Sequence, residues 1–162
     1  MRYAFFIILP CSLLLGCKEK SQEVIPEQFS GITMTTSASP DPIGDFDPDD
    51  WRPLMNCPPP DTGAGTVSKL PNCTRAYPIY PNPAMGSCIF TYALSQPDSV
   101  RIELYDEPGH LKKLLYSRRL PAGLFELTID LTDCQPKLHR LYFTVMRSSG
   151  TLQTYGDISV IR

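Results

Sequence analysis

Six cysteines are the residues of this 162-residue chain best equipped for covalent chemistry: Cys11, Cys17, Cys57, Cys73, Cys88 and Cys134. A thiol can be acylated, oxidised or bound to a metal, and its setting decides which. Cys11 lies inside an apolar run, Tyr3 to Leu15, and Cys17 directly follows Leu14-Leu15-Gly16. The other four are scattered, with no C-x-x-C pair, and the two histidines, His110 and His139, are far from any of them in sequence. That spacing disfavours zinc, and an even number of thiols in an exported chain favours disulfides. Of the three possible connectivities, Cys57–Cys73 with Cys88–Cys134 is expected, because each pair falls within one region of the chain.

Carboxylates come next. Asp45-Phe46-Asp47-Pro48-Asp49-Asp50 places Asp at positions 1, 3 and 5 of a would-be calcium loop. Position 6 is Asp50 where a glycine is needed, position 12 is Asn56 in place of a bidentate Glu, and Pro42 and Pro53 forbid flanking helices. A solvated acidic linker is the expectation. Asp61-Thr62-Gly63-Ala64 matches the active-site string of aspartic proteases, but it follows Pro58-Pro59-Pro60 and has no buried strand to hold it. Gly63-Ala64-Gly65-Thr66 lacks the lysine of a phosphate loop. His110 beside a turn and His139 at a strand start read as surface residues. No catalytic residue, cofactor or metal ligand is expected, and the chain does not read as an enzyme.

The elements that hold these residues divide into three. Residues 1–16 have a basic start at Arg2 and an apolar run too short to cross ~30 Å of hydrocarbon as a helix. They read as a secretory signal. The ending Leu14-Leu15-Gly16-Cys17, with Lys18-Glu19-Lys20 after it, resembles the bacterial lipobox. That resemblance implies cleavage before Cys17 and acylation of its thiol and amino group by palmitate-like chains. Several chains anchor firmly where one alone binds marginally. The implied location is the bacterial cell envelope, as an outer-membrane lipoprotein on the periplasmic face or the cell surface.

Residues 17–75 read as a Pro-rich acidic tether. Residues 18–75 hold five Lys/Arg against nine Asp/Glu, and nine prolines interrupt any helix or central strand. Such a segment buries too little apolar surface to offset its chain entropy, so most of it is expected to be disordered. Trp51, Phe46 and Met55 are apolar exceptions that either dock on the following domain or on a partner, or gather around Cys57. The net charge of −2 and a pI near 5.6 leave no footprint for nucleic acid.

From residue 76 onward alternation becomes regular. Phe90, Tyr92 and Leu94 share one face, as do Val100, Ile102 and Leu104; then Phe125, Leu127, Ile129 and Leu131; then Leu141, Phe143 and Val145; then Ile158 and Val160. Asp106-Glu107-Pro108-Gly109, Pro121-Ala122-Gly123 and Ser148-Ser149-Gly150 are turns. Leu115 is the expected core residue of the strand between the first two turns. The pattern predicts an all-β fold: an antiparallel, Ig-like sandwich of six to seven strands over residues 76–162.

Tyr80-Pro81-Asn82-Pro83, Phe90-Thr91-Tyr92-Ala93-Leu94, Val100-Arg101-Ile102-Glu103-Leu104-Tyr105-Asp106 and Leu141-Tyr142-Phe143 fall in an order similar to the Ig-like domain of the flagellar hook-capping family. They equally resemble the C-terminal sorting domains of the type IX secretion system, whose basic-ended last strand is similar to Ile158-Ser159-Val160-Ile161-Arg162. His139-Arg140, in place of a glycine, and the two cysteines Cys88 and Cys134 depart from that pattern. The resemblance implies the fold. For function it leaves two expectations: an anchored module that binds or scaffolds an envelope protein, with the membrane engaged through Cys17, or a sorting signal read by secretion machinery.

Overall fold

Seven strands make two antiparallel sheets: β1 (Arg75–Ala76), β2 (Ser87–Leu94), β3 (Asp98–Glu107), β4 (His110–Leu120), β5 (Gly123–Asp130), β6 (Leu138–Arg147) and β7 (Gly150–Ser159). The computed structural model of the chain describes residues 29, 31–36, 40–55 and 71–162. One sheet has the order β1-β2-β5 and the other β4-β3-β6-β7. The chain is thus an all-β sandwich, as the alternation requires. The inward faces meet in one core, where Phe90 stands edge-on to Phe143 at 5.5 Å and Tyr92 tilts over Phe143 at 5.0 Å. Val100, Ile102, Leu104, Leu141, Val145 and Ile158 are fully buried around them.

Turns are set by local chemistry. Gly109 (φ 74°) ends the Pro108-Gly109 turn of the β3–β4 hairpin in the left-handed region that side chains resist. The β3–β4 ladder is less regular than the alternation suggests. Tyr116 pairs with Ile102 and Leu114 with Glu103, so Leu115 is an extra residue. This bulge leaves Leu115 and Tyr116 both half-buried against the core.

The largest difference from the sequence reading lies in the stretch assigned to the tether. Thr33, Thr35, Asp50 and Trp51 of this stretch are buried, while residues 41–46, Phe46 among them, stay exposed. Met34 N–H donates to Asp45 O (2.9 Å) and Ile43 N–H to Met34 O (2.8 Å), folding this segment on itself. Thr35 N–H then reaches Asn82 O at 2.9 Å, and Thr35 Oγ1 donates to Ile79 O at 2.7 Å. Composition underestimates such a segment because its stability comes from long-range docking, not from its own periodicity.

Candidate functional site

β7 is the last strand of its sheet, so its outer N–H and C=O groups need partners from elsewhere. Trp51 N–H donates to Tyr155 O at 2.6 Å, and Asp157 N–H donates to Asp50 Oδ1 at 2.8 Å. Asn82 Nδ2 donates to Asp157 O at 2.8 Å, and Ser159 N–H to Asn82 Oδ1 at 3.0 Å. Ala84 N–H completes the row on Ser159 O at 2.8 Å. Asn82, flanked by cis bonds Tyr80–Pro81 and Asn82–Pro83, also donates to Thr33 O at 3.2 Å. Two remote pieces of chain therefore clasp one edge of the sandwich.

Trp51 fastens the clasp. Its ring lies 5.2 Å from that of Phe90 and rests on Gly156, where an added Cβ would come within 2.0 Å of Cε2. Only a glycine leaves room for the indole at this point of β7. The indole Nε1 is buried without a hydrogen-bond partner. Packing of the large ring must outweigh that cost.

Beneath the clasp sit three ionisable side chains. Arg140 and Asp157 are fully buried and form a two-pronged pair, Nε to Oδ1 at 2.6 Å and Nη2 to Oδ2 at 2.8 Å. The guanidinium is stacked between Tyr155 (4.1 Å) and Phe29 (4.7 Å). Asp50, 4% exposed, accepts Thr33 N–H at 2.8 Å on Oδ2. Burial, reinforced by the charge of Asp157, pushes the Asp50 carboxyl up to about 7 against the pull of its two amide donors.

The folded state then keeps a proton that the unfolded chain releases near pH 4. Stability should fall as pH rises from about 4 to about 7 and level off above, by roughly 4 kcal/mol at most. Asp106 is lowered by its His110 hydrogen bond and Asp130 by Thr132, so both act in the opposite sense and below pH 4. Thermal melts from pH 4.5 to 8 should show the decline, and Asp50→Asn should flatten it. A native profile already flat across this range would mean that Asp50 is ionised throughout.

The residues singled out from sequence are not brought together. Cys17 and Cys57 lie outside the described residues, as do Cys11 and Asp61 to Thr66. Cys73 is disulfide-bonded. The expected Cys88–Cys134 bond is corrected: both are free thiols, buried in the apolar core cluster. Burial, and then the nearness of Cys134, pushes the Cys88 thiol up to about 12, and burial also raises that of Cys134. Such thiols behave as small apolar side chains.

His139 is corrected as well. It is fully buried opposite Ile158, with Nε2 donating to Gln135 O at 2.9 Å. His110 is exposed and hydrogen-bonded to Asp106. In the acidic hexad, Asp47 Oδ1 accepts Asp49 N–H at 2.8 Å and Asp50 turns inward to the clasp. Among the described residues no group of three or more His, Cys, Asp or Glu is placed to hold a metal ion.

The opposite side of the sandwich is built differently. There β4 and β5 end their sheets, joined by only Pro121 and Ala122. Half-buried Leu115, Tyr116, Leu120, Phe125 and Leu127 line the seam between them. β4 carries exposed Lys112, Lys113, Arg118 and Arg119 and no acid, while β5 carries exposed Glu126 and Asp130 and no base. No family profile, curated protein or solved structure matches the chain.

Proposed function

We propose that the chain is a lipid-anchored bacterial cell-envelope protein, held in the outer membrane by acylated Cys17, that presents its sandwich for protein binding or scaffolding. The observation that carries this reading is the asymmetry of the two sides. One edge is covered by Asp50, Trp51, Asn82 and Ala84, and among the described residues nothing pairs with the outer edges of β4 and β5. An uncovered strand edge beside an apolar seam is a site for another chain to add to the sheet. The Leu14-Leu15-Gly16-Cys17 ending supports the anchor.

Intact mass of the protein extracted from membranes tests both parts. A mass of Cys17 onward plus acyl chains, running through Arg162, is expected, and Cys17→Ala should abolish both the acyl mass and the cleavage before residue 17. A mass without lipid would overturn the anchor. A mass ending near Tyr80 would make the sandwich a sorting signal of the type IX kind, read and removed during export.

A further inference from the structure

We infer that the open side of the sandwich is a dimer interface, with a second copy of this chain as its occupant. The chain's own topology restricts how two copies can meet there. β2 and β3 lie in opposite sheets and are joined by Ser95 to Pro97; β4 and β5 lie in opposite sheets and are joined by Pro121 and Ala122. Each junction reverses the chain, so β4 and β5 run in opposite directions.

A two-fold axis normal to the sheets would pair β4 with β4 and β5 with β5. That arrangement sets Lys112, Lys113, Arg118 and Arg119 against themselves, and Glu126 and Asp130 against themselves. An axis parallel to the strands, midway between the sheets, instead pairs β4 of each copy with β5 of the other. Both seams are then antiparallel, basic against acidic, and each sheet of four continues into a sheet of three. Like charges placed opposite cost, and opposite charges gain, so charge chooses the second axis.

Position along the strands agrees. Lys113 lies eight residues before Pro121 and Asp130 eight residues after Ala122, so two strands joined by that junction set the two at similar height. The strand-parallel axis keeps heights, bringing Asp130 of the second copy level with Lys113 and Glu126 near Arg118. None of the four β4 cations makes an ion pair among the described residues. Leu111 (41% exposed) and Leu114 (49%) stand beside them and would be covered. The inference stands whether or not Cys17 carries lipid.

The test uses the chain from residue 17 to Arg162 with Cys17→Ser, so that neither an acyl chain nor the apolar run Tyr3 to Leu15 drives association. Sedimentation velocity at low and high salt should show a monomer–dimer equilibrium, with the dissociation constant rising roughly tenfold or more in high salt. One variant reverses β4 (Lys112→Glu, Lys113→Glu, Arg118→Glu, Arg119→Glu) and another reverses β5 (Glu126→Lys, Asp130→Lys). Each alone should be monomeric, and an equimolar mixture should form a heterodimer, since each edge then meets its opposite. Thermal melts establish that both variants fold. A native chain that stays monomeric at every concentration in low salt overturns the proposal. So does a mixture that fails to pair, or a β4 variant that dimerises as tightly as the parent, which would leave the cations as a guard against edge pairing.

Discussion

Trp51→Ala should lower the unfolding free energy by about 3–5 kcal/mol, the usual cost of emptying a large buried aromatic site. The indole is 9% exposed, packs on Phe90 and covers Gly156. The main chain at residue 51 also closes the edge of β7 through Tyr155 O. Gly156→Ala is expected to cost a similar amount by a different route: a methyl group within 2.0 Å of the ring expels the indole and opens the clasp. The two losses should therefore not add. Once Trp51 is alanine, the three ring atoms that a methyl on Gly156 would strike first are gone, and the double variant should be about as stable as Trp51→Ala alone. Urea unfolding of the four proteins gives the coupling energy directly. Additive losses would mean that the ring does not rest on Gly156 in solution.

How far the sequence discloses this arrangement depends on where burial originates. Phe90, Tyr92 and Leu94, or Leu141, Phe143 and Val145, are buried because a strand with one face on a core must alternate, and alternation is written locally. Trp51 and Asp50 are buried because a remote strand receives them; the hydrogen bond from Asp157 to Asp50 spans 107 positions. Within residues 40–55 Trp51 stands out as an apolar residue that could dock on the domain, but nothing there names the strand that receives it or marks Asp50 for burial, and the surrounding proline and acid point the other way. Arg140 and His139 are hidden for the same reason. Their cover comes from Asp157, Tyr155 and Phe29, or from Gln135 and β7, and a polar pair at a strand start reads as exposed unless those partners are known. The strand edges show the converse. The signs of β4 and β5 are plain in the sequence, but only the sheet order makes both of them edges on one side.

Removing the carboxylate of Asp157 should be as damaging as removing Trp51, and for an electrostatic reason. Asp157→Asn takes from the fully buried Arg140 guanidinium the carboxylate that grips it at two points, a change worth about 3–5 kcal/mol where one partner of a buried pair is lost. Stacking on Tyr155 and Phe29 supplies contact but no counter-charge. The same substitution should alter the pH profile in the opposite direction. The charge of Asp157 is one of the causes that raise the Asp50 carboxyl, so its loss lets that group ionise at lower pH, although burial, the larger cause, remains. The variant should thus be less stable throughout, yet its decline should finish below pH 7. Exchanging both partners, Arg140→Met with Asp157→Leu, removes the buried charges together and should recover much of the loss, because apolar pairs of similar volume commonly replace buried ion pairs at little cost. Denaturant titrations of the three proteins at pH 5 and pH 8 separate the effects. A single variant that matches the parent at both pH values would place Arg140 in contact with water in solution, and the clasp would then be a surface feature and not a sealed one.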